Sequence, residues 1–123
     1  MPITYHIERE ENWLEVKLSG PVSIRETCDF HRQIYADPAY SDDFNGIIDC
    51  REMTNVLSVN ELRDVADLQL ARPGPAWRSR RALLVASPAQ YSTARVFMVF
   101  AESSPIQYGI FYNLETARRW VQE

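Results

Sequence analysis

Two short runs of apolar residues, Gly46-Ile47-Ile48-Asp49-Cys50 and Ala82-Leu83-Leu84-Val85-Ala86, constrain this chain more than any other feature of it. A strand with one wet face alternates apolar and polar residues. A run without that alternation buries both faces and needs a covering layer on each side. Segments of helical periodicity lie before and after both runs. Buried strands that alternate with helices pair in parallel, because each crossover carries a helix across the sheet. The expectation is an α/β fold.

The remaining elements follow from periodicity and punctuation. Ile3, Tyr5 and Ile7 alternate with Thr4, His6 and Glu8, and a second alternating stretch runs from Trp13 to Ser19. Only the turn Glu10-Glu11-Asn12 separates them, so they form an antiparallel hairpin. Gly20-Pro21 ends it. Ser23 with Glu26, and Ser58 with Glu61, have capping-box spacing and open two helices. The first carries Ile24, Cys28, His31 and Tyr35, and stops before Asp37-Pro38. The second carries Val59, Leu62, Val65, Ala66 and Gln69, and Pro73-Gly74-Pro75 breaks it. A third helix is expected over 89–102, a last strand over 106–112, and a final helix capped by Asn113, with Leu114, Ala117, Trp120 and Val121 as its inner stripe. The order is β-β-α-β-α-β-α-β-α: a mixed sheet with an N-terminal antiparallel hairpin, then parallel βαβαβα units, with helices packed on the sheet.

The length of 123 residues fits one domain spanning 1–123. Net charge is −4, and an acidic balance argues against a nucleic-acid partner, whose recognition needs a positive face. Two cysteines far apart, no basic-then-apolar leader, and a longest apolar run of only Val96 to Ala101 point to a cytoplasmic protein without stable membrane insertion.

The residues Trp13-Leu14-Glu15-Val16-Lys17-Leu18-Ser19-Gly20, Ile47-Ile48-Asp49 with Arg51, Arg81-Ala82-Leu83-Leu84-Val85-Ala86, Ala94-Arg95-Val96-Phe97, Phe111-Tyr112 and the stretch from Ala117 to Trp120 carry a family likeness. In this order the chain resembles the STAS domains of anti-sigma-factor antagonists. More closely it resembles the small stand-alone bacterial SpoIIAA-like proteins, whose fold is related to the lipid-binding CRAL-TRIO domain. The resemblance implies a regulatory or protein-interaction module, or else a carrier of a small apolar ligand. It also implies a regulated serine at the start of the helix after the central strand. The family's Asp-Ser-Ser-Gly turn is absent, and Ser58 and Thr54 stand in that region instead. A phosphate there would meet free N–H groups at a helix N-terminus; otherwise Ser58 is an ordinary cap.

Ligands in open α/β sheets sit beyond the carboxyl ends of the parallel strands. That rule gathers Asp49, Arg51 and Glu52 after the third strand, Ser87, Gln90 and Ser92 after the fourth, and Asn113 after the fifth, with Arg95 one turn into the following helix. Asp49 and Arg51 can pair and orient a ligand or partner loop. Cys28 and His31, three apart, have the spacing of a nucleophile–base pair or of two metal ligands, but share a stripe with Ile24 and Tyr35 that points inward. Arg72, Arg78, Arg80 and Arg81 crowd around Trp77, as a solvated loop or an interface rim. No catalytic motif is present, no cofactor or metal is expected, and an unrecognised hydrolase using Cys28 or Ser87 is the weakest reading. The helix bearing Ala94, Val96, Phe97, Met98, Val99, Phe100 and Ala101 is apolar nearly all round. It is either wedged inside the fold or a patch for a second subunit, a protein partner or a lipid-like ligand. A homodimer through this helix is the leading expectation.

Overall fold

The computed structural model describes residues 2–72 and 79–123. It contains β1 (Ile3–Glu8), β2 (Trp13–Gly20), α1 (Ile24–Tyr35), β3 (Asn45–Met53), α2 (Val59–Leu70), β4 (Arg80–Leu84), α3 (Pro88–Phe100), β5 (Gln107–Phe111) and α4 (Leu114–Gln122). The five strands form one sheet in sequential order, β1-β2-β3-β4-β5. β1 pairs antiparallel with β2, Ile3 opposite Leu18, and every later pairing is parallel. The expected mixed sheet is therefore present.

Local chemistry sets the element ends. Both capping boxes form: the Ser23 and Ser58 side chains accept from the amides of Glu26 and Glu61, whose carboxylates accept from the cap amides in return. Asn113 caps α4 by accepting from Thr116. The turn between β1 and β2 is a single 3-10 turn closed by Asn12, whose φ of 52° suits an asparagine. β3 is longer than the sequence suggests, because a register shift after Lys17 lets Ser19 and Gly20 pair with Glu52 and Met53. Asp49, Arg51 and Glu52 thus lie within the strand and not beyond its carboxyl end.

Sequential strand order has a geometric consequence. Parallel crossovers share one handedness, so a chain that always steps to the next strand lays its crossover helices on the same face. α1, α2 and α3 accordingly cover one face of the sheet, and α4 alone covers the other. Strand parity agrees. Ile47, Ala82 and Leu84 pack with Ala117 and Val121 of α4, while their neighbours Leu83 and Val85 pack with Ala94 of α3. At the hairpin end, Leu14, Val16 and Leu18 join Ile34 of α1. α2 packs on α1 and α3 more than on the strands, so it roofs its face at a distance.

Gly46 marks the closest approach in the sheet. A Cβ there would sit 2.1 Å from the Leu14 carbonyl oxygen, which is backbone and cannot swing aside. Gly46→Ala should cost about 1–3 kcal/mol through forced strand separation. Urea denaturation measures this, and an unchanged midpoint would contradict the tight pairing.

Candidate functional site

The face roofed by α2 holds a half-open cavity of about 160 Å³. Its floor is the inward parity of the strands, Val16, Ile48 and Leu83; Phe30 and Ile34 of α1 and Phe97 of α3 form walls; Leu62 and Val65 of α2 lie above. A largely apolar space of this size takes a benzene-sized guest. Val56, in the connection between β3 and α2, lines the cavity and is 46% exposed, which puts a mouth there.

The opposite end of the cavity is polar. Arg81, at the start of β4 and 6% exposed, shares the inward parity of Leu83 and Val85. Its Nε donates to the Phe44 carbonyl at 3.3 Å, and its Nη2 donates to the Tyr40 hydroxyl at 2.9 Å and the Asp42 carbonyl at 3.4 Å. The Tyr40 hydroxyl in turn donates to Asp42 Oδ1 at 2.9 Å. Arg72 holds that same carboxylate through Nε at 2.9 Å and stacks on the Tyr35 ring, 4.0 Å from its centroid. The Tyr108 hydroxyl donates to Gln69, and Phe97 meets the Tyr108 ring edge-to-face at 5.1 Å between centroids.

Burial drives the titratable groups here toward their neutral forms. It pushes Tyr108 up to about 12 and raises Tyr35 as well. Tyr40 is raised by burial despite the opposing pull of Arg81. Burial lowers His31, whose Nδ1 donates to the Thr27 carbonyl at 2.8 Å and leaves Nε2 as an acceptor. Cys50 lines the cavity with a thiol that burial pushes up to about 12. His31 and Cys28 separate in role: His31 lines the cavity and Cys28 does not, and burial raises the Cys28 thiol too.

The other residues picked out by sequence lie elsewhere. Asp49 and Arg51 form a forked pair at 3.1 and 2.9 Å, and the Arg51 amide donates to the same carboxylate at 3.0 Å. These bonds outweigh burial and hold Asp49 below the usual carboxylate range. Asp49 has the parity of Ile47, on the α4 side, away from the cavity. Arg95 is exposed and makes no hydrogen bond or ion pair among the described residues, so it does not join Asp49 and Arg51. Thr54 and Ser58 are exposed at the loop and cap before α2, and Ser87 caps α3 by accepting from Gln90. Phe97 points into the cavity rather than outward. The arginine cluster is not a solvated loop where it is described: Arg80 and Arg81 belong to β4, because the inward side of that strand needs a residue long enough to reach the backbone oxygens of 42–44. Trp77 and Arg78 lie outside the described residues.

Sequence reasoning passed over Arg81 as part of the cavity, with Tyr40 and Tyr108 around it. The signal was available in strand parity, since Arg81 stands two residues before Leu83 in a strand buried on both faces.

This α/β architecture, with three crossover helices on one face and a fourth on the other, defines the class. In solved structures it is the SpoIIAA-like fold. The chain is similar to an uncharacterised protein of the DUF3478 family with a SpoIIAA-like fold from Shewanella loihica PV-4, with a TM-score of 0.65 and 21% identity over 97% of this chain and 93% of the other. It is also similar to an anti-sigma factor antagonist from Mycobacterium paratuberculosis, with a TM-score of 0.60 and 17% identity over 98% and 95% of the two chains. No protein-family model and no curated protein matches. No helix among the described residues is long and apolar enough to cross a membrane.

Because only the thiolate reacts, Cys50 in the native protein should resist a thiol reagent near pH 8, where a group titrating at about 12 is roughly one part in ten thousand ionised. Denaturant should release it. Rapid labelling of Cys50 in the native state, read by peptide mass spectrometry, would contradict the buried site.

Proposed function

We propose that this protein is a non-enzymatic binding module that holds a small apolar molecule between its sheet and helices α1, α2 and α3. The observation supporting this reading is the cavity. Protein interiors are close-packed, and voids larger than a water molecule are few. At roughly 24 cal/mol per Å³, a sealed void of about 160 Å³ would cost about 4 kcal/mol, which is an upper bound for a pocket with a mouth. A guest that fills the space recovers those contacts. The thiol that lines it, Cys50, is shifted toward the unreactive protonated form, which favours holding over chemistry.

Toluene tests this reading without assuming the natural guest. At about ten times its Kd, a ligand that binds only the folded state stabilises by about 1.4 kcal/mol, or roughly 5 °C in Tm for a chain of this size. Ala94→Phe, which places a ring inside the cavity wall, should abolish the shift. No shift in the wild type would remove the proposal.

A second reading, a STAS-like regulatory module that pairs with a second copy or docks a protein partner through α3, is favoured by Val99, which is 60% exposed on that helix. The fold shared with an anti-sigma factor antagonist supports it as well. Since Phe97 faces inward, Val99→Asp is the informative change. Light scattering should give a dimer for the wild type and a monomer for the variant, with the melting curve little altered; a monomeric wild type rules out the homodimer.

A further inference from the structure

We propose that the guest of the cavity carries a carboxylate, held by the Arg81 guanidinium, with an apolar body about the size of a benzene ring lying along Leu83 and Val85 toward the mouth. This rests on the apolar-ligand reading above.

The first support is the charge of the polar end. A guanidinium remains protonated in proteins, so Arg81 brings one full positive charge beneath three helices. Among the described residues no aspartate or glutamate forms an ion pair with it. The carboxylate in the adjoining network, Asp42, reaches it only through the Tyr40 hydroxyl and is held directly by Arg72. Two arginines therefore share one acid. The tyrosines cannot supply the missing charge, because burial holds Tyr35, Tyr40 and Tyr108 neutral at ordinary pH. Buried charges in proteins are paired or hydrogen-bonded, and a site with one positive charge in excess favours an anion.

The second support is geometric. A guanidinium offers five N–H groups in a fork that suits a carboxylate. Nε and Nη2 of Arg81 are taken by two carbonyls and a hydroxyl, while Nη1 meets no acceptor among the described residues. Since Arg81 lines the cavity, its guanidinium borders that space. His31 and Tyr35 border the same end and add polar atoms without charge.

The third is the length of the space. Arg81, Leu83 and Val85 follow one another on the inward side of β4, and four residues of strand span about 13 Å. A head at Arg81 and a ring over Leu83 fit that line, and a guest of that size matches the volume of about 160 Å³.

The experiment compares 3-phenylpropanoate with 3-phenylpropanamide, which share a shape and differ in charge, by calorimetric titration of the wild type, Arg81→Gln and the surface control Arg118→Gln. The acid should bind about tenfold or more tightly than the amide, as a hydrogen-bonded charge provides. That preference should survive in Arg118→Gln and fall to about twofold or less in Arg81→Gln. Methyl shifts of Leu83 and Val85 on adding the acid should place it in the cavity. Should Arg81→Gln not fold, the acid–amide comparison in the wild type decides by itself. Equal affinities for acid and amide, together with toluene binding, would overturn the carboxylate assignment and leave the apolar reading standing. Absence of binding by acid, amide and toluene alike would overturn both.

Discussion

A guanidinium lies under three helices, and the segment from Tyr40 to Phe44 is shaped to meet it. Arg81 has to be bonded where it lies, because an arginine taken out of water without acceptors costs several kcal/mol. The acceptors come from a distant part of the sequence: the carbonyls of Asp42 and Phe44 and the hydroxyl of Tyr40. Those bonds tie the connection before β3 to the start of β4. Arg72, at the end of α2, is drawn in by Asp42 and by the Tyr35 ring. One long side chain thereby fixes the ends of α1 and α2 relative to the central strands.

The space above that cluster follows from connectivity. Sequential parallel strands with crossovers of one hand put α1, α2 and α3 on a single face. Three helices side by side do not all reach a twisted sheet equally. α1 touches the hairpin side and α3 the β5 side, while α2 rides on both. The gap under α2 is lined by the inward positions of the middle strands, apolar except for Arg81. On the other face α4 lies directly against β3, β4 and β5, with small residues such as Ala82 and Ala117 at the contact, and beside it a cleft of about 290 Å³ is lined by His6, Glu15, Lys17, Asp49 and Arg118. The α4 contact itself is close-packed, while the apolar pocket lies on the face roofed by α2.

Polar features outside the cavity are largely self-satisfied. Asp49 and Arg51 complete each other, and the serines before α2 and α3 are occupied as caps. Val99, on the outer surface of α3, has no such internal partner role, and Phe100 beside it is covered by the Arg63 guanidinium 4.5 Å above its ring. An outward contact and an inward guest can share α3, since Phe97 and Val99 point to different sides of it.

Much of the fold was legible from residues alone, because the signals are local. Ser58 three residues before Glu61, Pro38 after Asp37, and the alternation from Ile3 to Glu8 each act within a turn or a strand, and the structure has a helix start, a helix stop and a strand at those places. The uninterrupted runs at Ile47 and Ala82 required covered parallel strands for the same reason. The candidate site was less legible. Asp49 and Arg51 looked like the end of a strand, but pairing with Gly20 across a register shift carried β3 on to Met53. Phe97 looked like part of an outer patch, and the roof formed by α2 gave it an inner face. What the sequence by itself determined was the kind and order of the elements and which strands are covered on both faces. Only the tertiary structure decided that Arg81 is buried and, among the described residues, short of an acid, since that depends on which residues forty positions away are brought within hydrogen-bond reach, and no local rule reports it.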